Sequence, residues 1–515
     1  MLETISSTFP VLTLLVALPA LAGVLILSVK PLQKAGRYIA LGVSVVELLL
    51  VLFATTQIDW TLAGSYQLAE TYSWIPQIGI SWALGVTQLS LVMIVLALAL
   101  VPLVLVAAWK EDSQAANPSL EAGRYAALIL LLEAFMVLIF AARDVAVFYF
   151  AFEAMLIPLY FMIGRYGIAN AKAAAVKFLL YSLAGGLVML AGVITLFVYA
   201  ERTPQAYLLE NLSQTQLPFN VELGIFITFF IAFAIKAPMV PLHTWLPDTA
   251  AAARPGTSVL LVGVLDKIGT YGMIALCLPL FPNASVYAAP VIIGLALVSI
   301  IYGGLAAIGQ SDLMRLVSFT SVSHFGFMVL GIYVGSTIAM TGAMFYMVAH
   351  GVSIAAMFLI SGYLTEQTGS RAIADYRGMQ RVTPILAGTW LVSGLASVAL
   401  PGLSGFVPEY LVLIGTWKVL PIAAAVAVFG VVLAALYLLV PYQKIFTGPV
   451  PDNMDKFSDL DMRQKFTVAP LLIAMVILGI WSAPLISALT PVSEAAVTNF
   501  QSAPLENAQT EGNSK

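Results

Sequence analysis

The sequence predicts an all-α polytopic membrane protein of about fourteen transmembrane helices. Three observations lead there. Only 10% of the 515 residues are charged and 61% are hydrophobic, with a mean hydropathy of +0.97, whereas a soluble domain carries roughly 25% charged residues. Apolar runs near the ~20 residues that cross a hydrocarbon core recur along the whole chain. Lysine and arginine also sort by side. Loops after odd-numbered segments hold about 17 of them, against three (Arg143, Arg202 and Lys418) after even-numbered ones. That is the positive-inside asymmetry, and it predicts both termini on the outer side.

The segments fall near 9–29, 37–56, 86–109, 124–141, 145–163, 173–199, 223–245, 257–279, 287–309, 316–335, 338–364, 384–416, 419–446 and 467–489. The first, FPVLTLLVALPALAGVLILSV, follows a stretch that carries Glu3 and no Lys or Arg. It is longer than a signal-peptide core, so it reads as a span. The longest polar linkers are 57–85, 200–222, 365–383 and 447–466, and the tail SAPLENAQTEGNSK reads as disordered. Segment five, VAVFYFAFEAMLIPLYFMI, carries Glu153 at its middle, and segment eight, SVLLVGVLDKIGTYGMIALCL, carries Lys267. Segment ten holds His324 and segment eleven His350. The Gly-rich pieces LAGGL and IYGGL suit close helix packing better than phosphate binding.

Segments seven and twelve are interrupted, at KAPMVP and at LPGLSGFVPE, each with a charged residue beside the break: Lys236 and Glu409. Proline lacks a backbone donor and clashes with the preceding turn. Broken backbone at membrane depth survives only inside protein or against a wet cavity. The breaks lie five segments apart, so the two units enter from opposite sides. This predicts an inverted repeat of two five-helix units, the arrangement that marks transport sites. The resulting division is an N-terminal three-helix segment (1–123), a first repeat (124–280), a second inverted repeat (281–446), and a final helix with a polar tail (447–515).

Charge at the bilayer centre costs about 2.5–3.5 kcal/mol on insertion scales. Glu153, Lys236, Lys267 and Glu409 are therefore candidate proton-transfer groups, with His324 and His350 as weaker candidates for which neutral helix packing is the alternative reading. His243 lies at the exit of segment seven, where capping backbone groups is its plain role. Asp266 adjoins Lys267 but points about 100° away around the helix. Glu47 and Glu133 lie in apolar runs outside this set. The single Cys277 excludes an internal disulfide and thiolate cluster ligation by this chain alone. No dinucleotide fingerprint, P-loop or haem-attachment motif occurs, and no basic tract suits nucleic acid. The parts are those of a proton conductor rather than a redox enzyme.

The stretches AFEAMLIPLYFMIG, AAAVKFLLYSLAGGLVML, KAPMVPLHTWLPD, GVLDKIG, SFTSVSHFGF, VAHG and LPGLSGFVPEY resemble the antiporter-like membrane subunits of proton-pumping NADH:quinone oxidoreductase, respiratory complex I. The resemblance covers roughly residues 124–416. It implies that Glu153 and Lys236 form a pair, that Lys267 links them to a second half-channel, that His324 and His350 line a central axis, and that Glu409 ends it. Glutamate rather than lysine at that last position, with a chain that stops soon after segment fourteen, resembles the M type of such subunits. Implied partners are other membrane subunits, including the L- and N-type ones, and the lipid bilayer. No cofactor is expected on this chain, since FMN, iron–sulfur clusters and quinone would belong to other subunits. The expected location is a bacterial plasma (inner) membrane. The rival is a subunit of an Mrp-type multisubunit Na+/H+ antiporter. Departures from the family pattern are LPDTAAAARP, where Ala250 replaces a histidine and Arg254 lies nearby, Met314 in DLMR, and Asp266 before the segment-eight lysine.

Overall fold

The computed structural model of the chain describes residues 4–62, 64–168, 170–449 and 457–502. Its principal helices are α1 (Val11–Ser28), α2 (Lys30–Thr55), α3 (Gln88–Lys110), α4 (Pro118–Ala141), α5 (Val145–Gly164), α6 (Ala171–Tyr199), α7 (Phe219–Lys236), α8 (Trp245–Ala252), α9 (Pro255–Leu280), α10 (Pro282–Ile308), α11 (Leu313–Tyr333), α12 (Thr337–Thr368), α13 (Pro384–Ser397), α14 (Phe406–Val419), α15 (Pro421–Phe446), α16 (Met462–Ile480) and α17 (Ala483–Gln501). Among the described residues, 13 of these are long and apolar enough to cross a membrane. The predicted segment 384–416 is the pair α13 and α14, either half of which is short for a span by itself.

The bundle is inside-out relative to a soluble protein. Its outer helices present Ile157, Val291 and Ile422, which are 63%, 68% and 78% exposed, as lipid-facing surface does. The central helices α11 and α12 are buried on every side. Their Ser, Thr, Tyr and His side chains therefore have no solvent to turn to and must find partners in the protein.

Three predicted boundaries need correction. The polar linker 57–85 contains a hairpin, β2 (Tyr66–Ile75) antiparallel to β3 (Ile80–Val86), with β1 (Thr4–Ser6) added parallel to β2. Alternating aromatic and β-branched residues favour that pleated form, and Gly79 at φ +76° completes the turn. The linker 30–36 is the start of α2, which Pro31 initiates. The last predicted span, 467–489, is two helices: α16 ends at Ile480, and α17 runs on to Gln501. The remaining tail, 503–515, lies outside the described residues.

The hairpin anchors the helices beneath it. Glu70 accepts from the backbone nitrogens of Leu12 and Thr13 at 2.7 and 3.1 Å, capping the start of α1. Asp144 accepts from Ser81 N and from Ala146 N, both at 2.9 Å, and so ties β3 to the start of α5. The opposite end of the bundle gathers the cationic linkers. Lys110 pairs with Asp461 at 3.2 Å, Arg254 with Asp112 at 2.7 Å, and Arg371 with Asp312 at 3.5 Å. The described ends of the chain meet on the hairpin side, where Thr4 pairs with Tyr66 and Ala495 lies beside Gly64.

Candidate functional site: a buried polar axis

Lys236 occupies the last turn of α7. The chain then breaks as proline dictates, and the freed backbone groups are taken up by protein. Trp245 Nε1 donates to Ile235 O at 2.9 Å, and Val240 N donates to Ser299 Oγ at 3.0 Å. The Lys236 ammonium lies over the rings of Phe152 and Phe178, at 5.3 and 5.4 Å from their centroids. It is 1% exposed and has no hydrogen-bond acceptor among the described residues. Its carboxylate neighbours are Asp266 and Glu153.

Glu153 lies mid-span in α5, two residues before a turn at Met155 and five before Pro158. Pro158 cannot donate to Ala154 O, so a carbonyl is freed one residue from the carboxylate. Lys236 is the positive group it faces. The two make no direct ion pair, since the ion pairs among the described residues do not include them. Glu153 Oε1 is buried without a partner. Gly186 on α6 gives the carboxylate its room, because a Cβ there would collide with it. Ser182, one turn earlier on α6, also has a buried hydroxyl without a partner.

Lys267 is held differently. Two π-helical stretches, Leu261–Leu265 and Met273–Cys277, flank Asp266 and Lys267 in α9. Such wide turns often mark functional positions, because they displace carbonyls from the regular ladder. Lys267 Nζ donates to one of them, Val262 O, at 2.6 Å, and meets His350 Nδ1 at 2.8 Å. His350 Nε2 is 3.2 Å from Ser321 Oγ, and its ring lies 5.1 Å from that of His324. His324 Nε2 is 3.0 Å from Tyr437 Oη, and the His324 ring is 5.7 Å from that of Tyr346. Tyr346 donates to Glu409 Oε2 at 2.7 Å. Lys267, His350, His324, Tyr346, Tyr437 and Glu409 are all 0–4% exposed.

Glu409 is in the first turn of α14. A carboxylate in a first turn favours the positive end of the helix dipole. The cap position is Gly405, and no side chain caps this terminus. The carboxylate turns instead to Tyr346 on α12.

The structure thus brings together Lys267, His350, His324 and Glu409 in one contact series, and places Glu153 and Lys236 at its far end across the α7–α9 junction. Tyr346 and Tyr437 were missed in the sequence. Tyr346 precedes His350 by four residues, so it shares a helix face with it. Tyr437 lies in an apolar run with no such signal. His243 is buried with its ring edge-on to Tyr302 at 5.0 Å, off the axis. Glu47 and Glu133 are buried on α2 and α4 without hydrogen-bond partners among the described residues, also off it.

At the cationic end of the bundle, Asp248 on α8 ties α6 to α11 by accepting from Lys177 at 2.5 Å and pairing with Arg315. Partial burial pushes its carboxyl up, but the bonds and charges of Lys177 and Arg315 outweigh that and hold it below the usual carboxylate range. Arg254 is fixed by Asp112 and Tyr166 O, the latter at 2.8 Å.

Comparison with known proteins agrees with this fold. A family profile, NADH:quinone oxidoreductase/Mrp antiporter transmembrane proteins, matches residues 142–434. The NADH-quinone oxidoreductase subunit M of Mycobacterium tuberculosis is 41% identical, with 95% of this chain and 94% of that protein aligned. A chain of respiratory complex I from Thermus thermophilus, solved with bound NADH, superposes with a TM-score of 0.84 at 31% identity, covering 95% of this chain and 99% of that one. A chain of the Mrp complex from Dietzia sp. also gives a TM-score of 0.84, covering 98% of this chain and 99% of that one, but at 21% identity, which speaks for the fold alone.

Proposed function

The chain belongs to the NADH:quinone oxidoreductase/Mrp antiporter family, and we infer that it works as the M-type proton-translocating membrane subunit of an NADH:quinone oxidoreductase. Electron transfer from NADH to quinone takes place in other subunits of such a complex, and their cofactors with it. This chain contributes the path of the proton. The higher identity to the subunit M and complex I chains favours this reading over a cation/proton antiporter subunit of Mrp type. Its neighbours are then the other antiporter-like subunits, of L and N type, within the membrane arm.

One observation carries the mechanism: the contact series Lys267–His350–His324–Tyr346/Tyr437–Glu409 crosses the buried middle of the bundle. Each member accepts and donates protons, and none reaches solvent. Glu153 and Lys236 form the first half of the path and Glu409 the far terminus of the second. The broken helices α7/α8 and α13/α14 occupy matching places in two inverted five-helix units, 124–280 and 281–446. Glu409→Gln keeps shape and hydrogen bonding but cannot ionise. Whole complex carrying it, reconstituted in proteoliposomes, should lose most NADH-driven proton uptake. Uptake and quinone reductase activity near wild type would reduce Glu409 to a structural residue.

The cationic end of the bundle faces the cytoplasm and the hairpin with both termini faces outward, in a bacterial inner membrane. The support is the charge asymmetry together with the gathering of Lys110, Arg254 and Arg371 at one end. A Gly512→Cys variant in a background with Cys277 replaced should react with a membrane-impermeant thiol reagent in intact spheroplasts. Labelling only after lysis would reverse the orientation.

A further inference from the structure

The weak point of the proposed path is the passage from Lys236 on α7 to Lys267 on α9. The packing of α9 shows what occupies it. Gly263 of α9 crosses α12 at Gly351, where a Cβ on Gly351 would stand 2.9 Å from Gly263 O. Lys267, four residues on, shares that face and meets His350 there. Gly269 packs on a different neighbour: a Cβ there would lie 2.7 Å from the Ala237 Cβ and would collide with the backbone at Phe233 and Ala237. Gly272 meets the Phe233 ring in the same way. Asp266, three residues before Gly269, shares this second face. It is therefore directed at the carboxy-terminal end of α7, where Lys236 immediately precedes Ala237.

Asp266 is fully buried, and neither carboxylate oxygen has a hydrogen-bond partner among the described residues. Its two charged neighbours are Lys267 and Lys236. A structural carboxylate inside a bundle is normally saturated with donors. Asp144 and Glu70 at the hairpin are examples. Asp266 lacks such donors, as do Glu47 and Glu133 off the axis, but it alone of the three has lysine neighbours, two of them, which face different helices.

We propose that Asp266 is the proton-carrying bridge between the two halves of the path, taking a proton from Lys236 and delivering it to Lys267. In the first step an N–H bond of the Lys236 ammonium breaks and an O–H bond forms on Asp266, leaving neutral amine and carboxylic acid. In the second the O–H bond breaks and the proton joins the lone pair of neutral Lys267. Asp266 returns to carboxylate and Lys267 becomes ammonium beside His350. No electron changes hands. Neither lysine is in direct ion-pair contact with Asp266, so each hop passes through water. This inference rests on the proposed proton path and names the residue that joins its halves.

The test compares Asp266→Asn, Asp266→Glu and Lys236→Ala in the whole complex, reconstituted in proteoliposomes. Proton uptake per NADH oxidised is measured, and NADH-to-ferricyanide activity checks assembly. A positioned acid–base group contributes about 100-fold or more, so Asp266→Asn should lower coupled turnover by at least about tenfold, since water offers only a poor bypass. Asp266→Glu, which keeps the titratable group, should restore most of it. Asp266→Asn pumping normally while Lys236→Ala fails would overturn the bridge and leave the path standing. Equal loss in assembled Asn and Glu variants would make Asp266 a shape-determining residue and also overturn it. Lys236→Ala pumping like wild type would overturn the path itself, and the bridge with it.

Discussion

The two halves of the axis are built on opposite plans. Around Lys236 the charged groups are close enough to act on one another but are not hydrogen-bonded: Lys236, Glu153 Oε1, Ser182 and both oxygens of Asp266 lack partners. From Lys267 to Glu409, hydrogen-bond contacts of 2.6–3.2 Å alternate with an edge-on ring contact at His350–His324 and a tilted one at His324–Tyr346. The broken helices mirror this contrast. Lys236 stands at the carboxy-terminal end of the first half-helix of its pair and Glu409 at the amino-terminal start of the second, each where the helix dipole favours its charge. A wired region passes protons readily but offers little control. A region of unpartnered charges changes its state when the distances or hydration between them change. On the proposed path, the loose half is thus the place for gating and the wired half the place for conduction.

The largest effect is expected in the loose half, where no hydrogen bond offers a substitute route. Glu153→Ala should abolish most redox-coupled pumping while the complex assembles, because Lys236 loses a carboxylate that it faces. Glu153→Asp should keep part of it. Proton uptake of both variants in proteoliposomes checks this. Normal pumping by assembled Glu153→Ala complex would break the comparison, since the unpartnered groups would then be incidental.

A smaller effect should come from geometry alone. Gly186→Ala places a methyl group where the Glu153 carboxylate now lies. The carboxylate is the free end of a flexible side chain, so it rotates away and the fold survives. If gating depends on the separation of Glu153 and Lys236, pumping should fall several-fold, with thermal stability of the complex nearly unchanged. A loss of stability in step with activity would instead make Gly186 a plain helix-packing position.

How far this contrast could be read in advance depended on which signal each residue gives. Glu153, Lys236, Lys267 and Glu409 stand out because charge is rare in apolar runs, and the breaks because Pro and Gly interrupt helices. What the sequence does not carry is the direction of a side chain among neighbours distant in the chain. Asp266 was visible as a charge, yet its role turns on Gly269 packing against α7, a contact between residues 32 apart. Tyr346 and Tyr437 look like core aromatics until the histidine beside each is placed. The hairpin at Tyr66–Val86 was hidden for a different reason. A scan for spans treats any polar stretch as a linker, although YQLAETYSWI and ISWALGV carry the aromatic content of strands. The helix α17 escaped because its Ser, Thr and Pro491 lower its hydropathy below that of a span.

The smallest effect should come from the wired half. Tyr346→Phe removes the hydroxyl that donates to Glu409 and leaves the ring packed between His324 and Phe327. A single hydrogen bond is worth about 0.5–1.5 kcal/mol net, so coupled turnover should fall about two- to tenfold. The residual activity is the informative part. Tyr437 also contacts His324, at 3.0 Å, so the histidine retains a hydroxyl neighbour when Tyr346 loses its own. A loss as complete as that of Glu409→Gln would mean that the Tyr346 hydroxyl itself carries the proton to the terminus. No loss at all would mean that Glu409 receives its proton from elsewhere, and that the continuity of this half is structural. Proton uptake per NADH oxidised, measured for Tyr346→Phe, Tyr437→Phe and the pair together, separates the three. Redundant routes give a double variant far worse than either single one, whereas a strictly serial route gives a double variant no worse than the poorer single one.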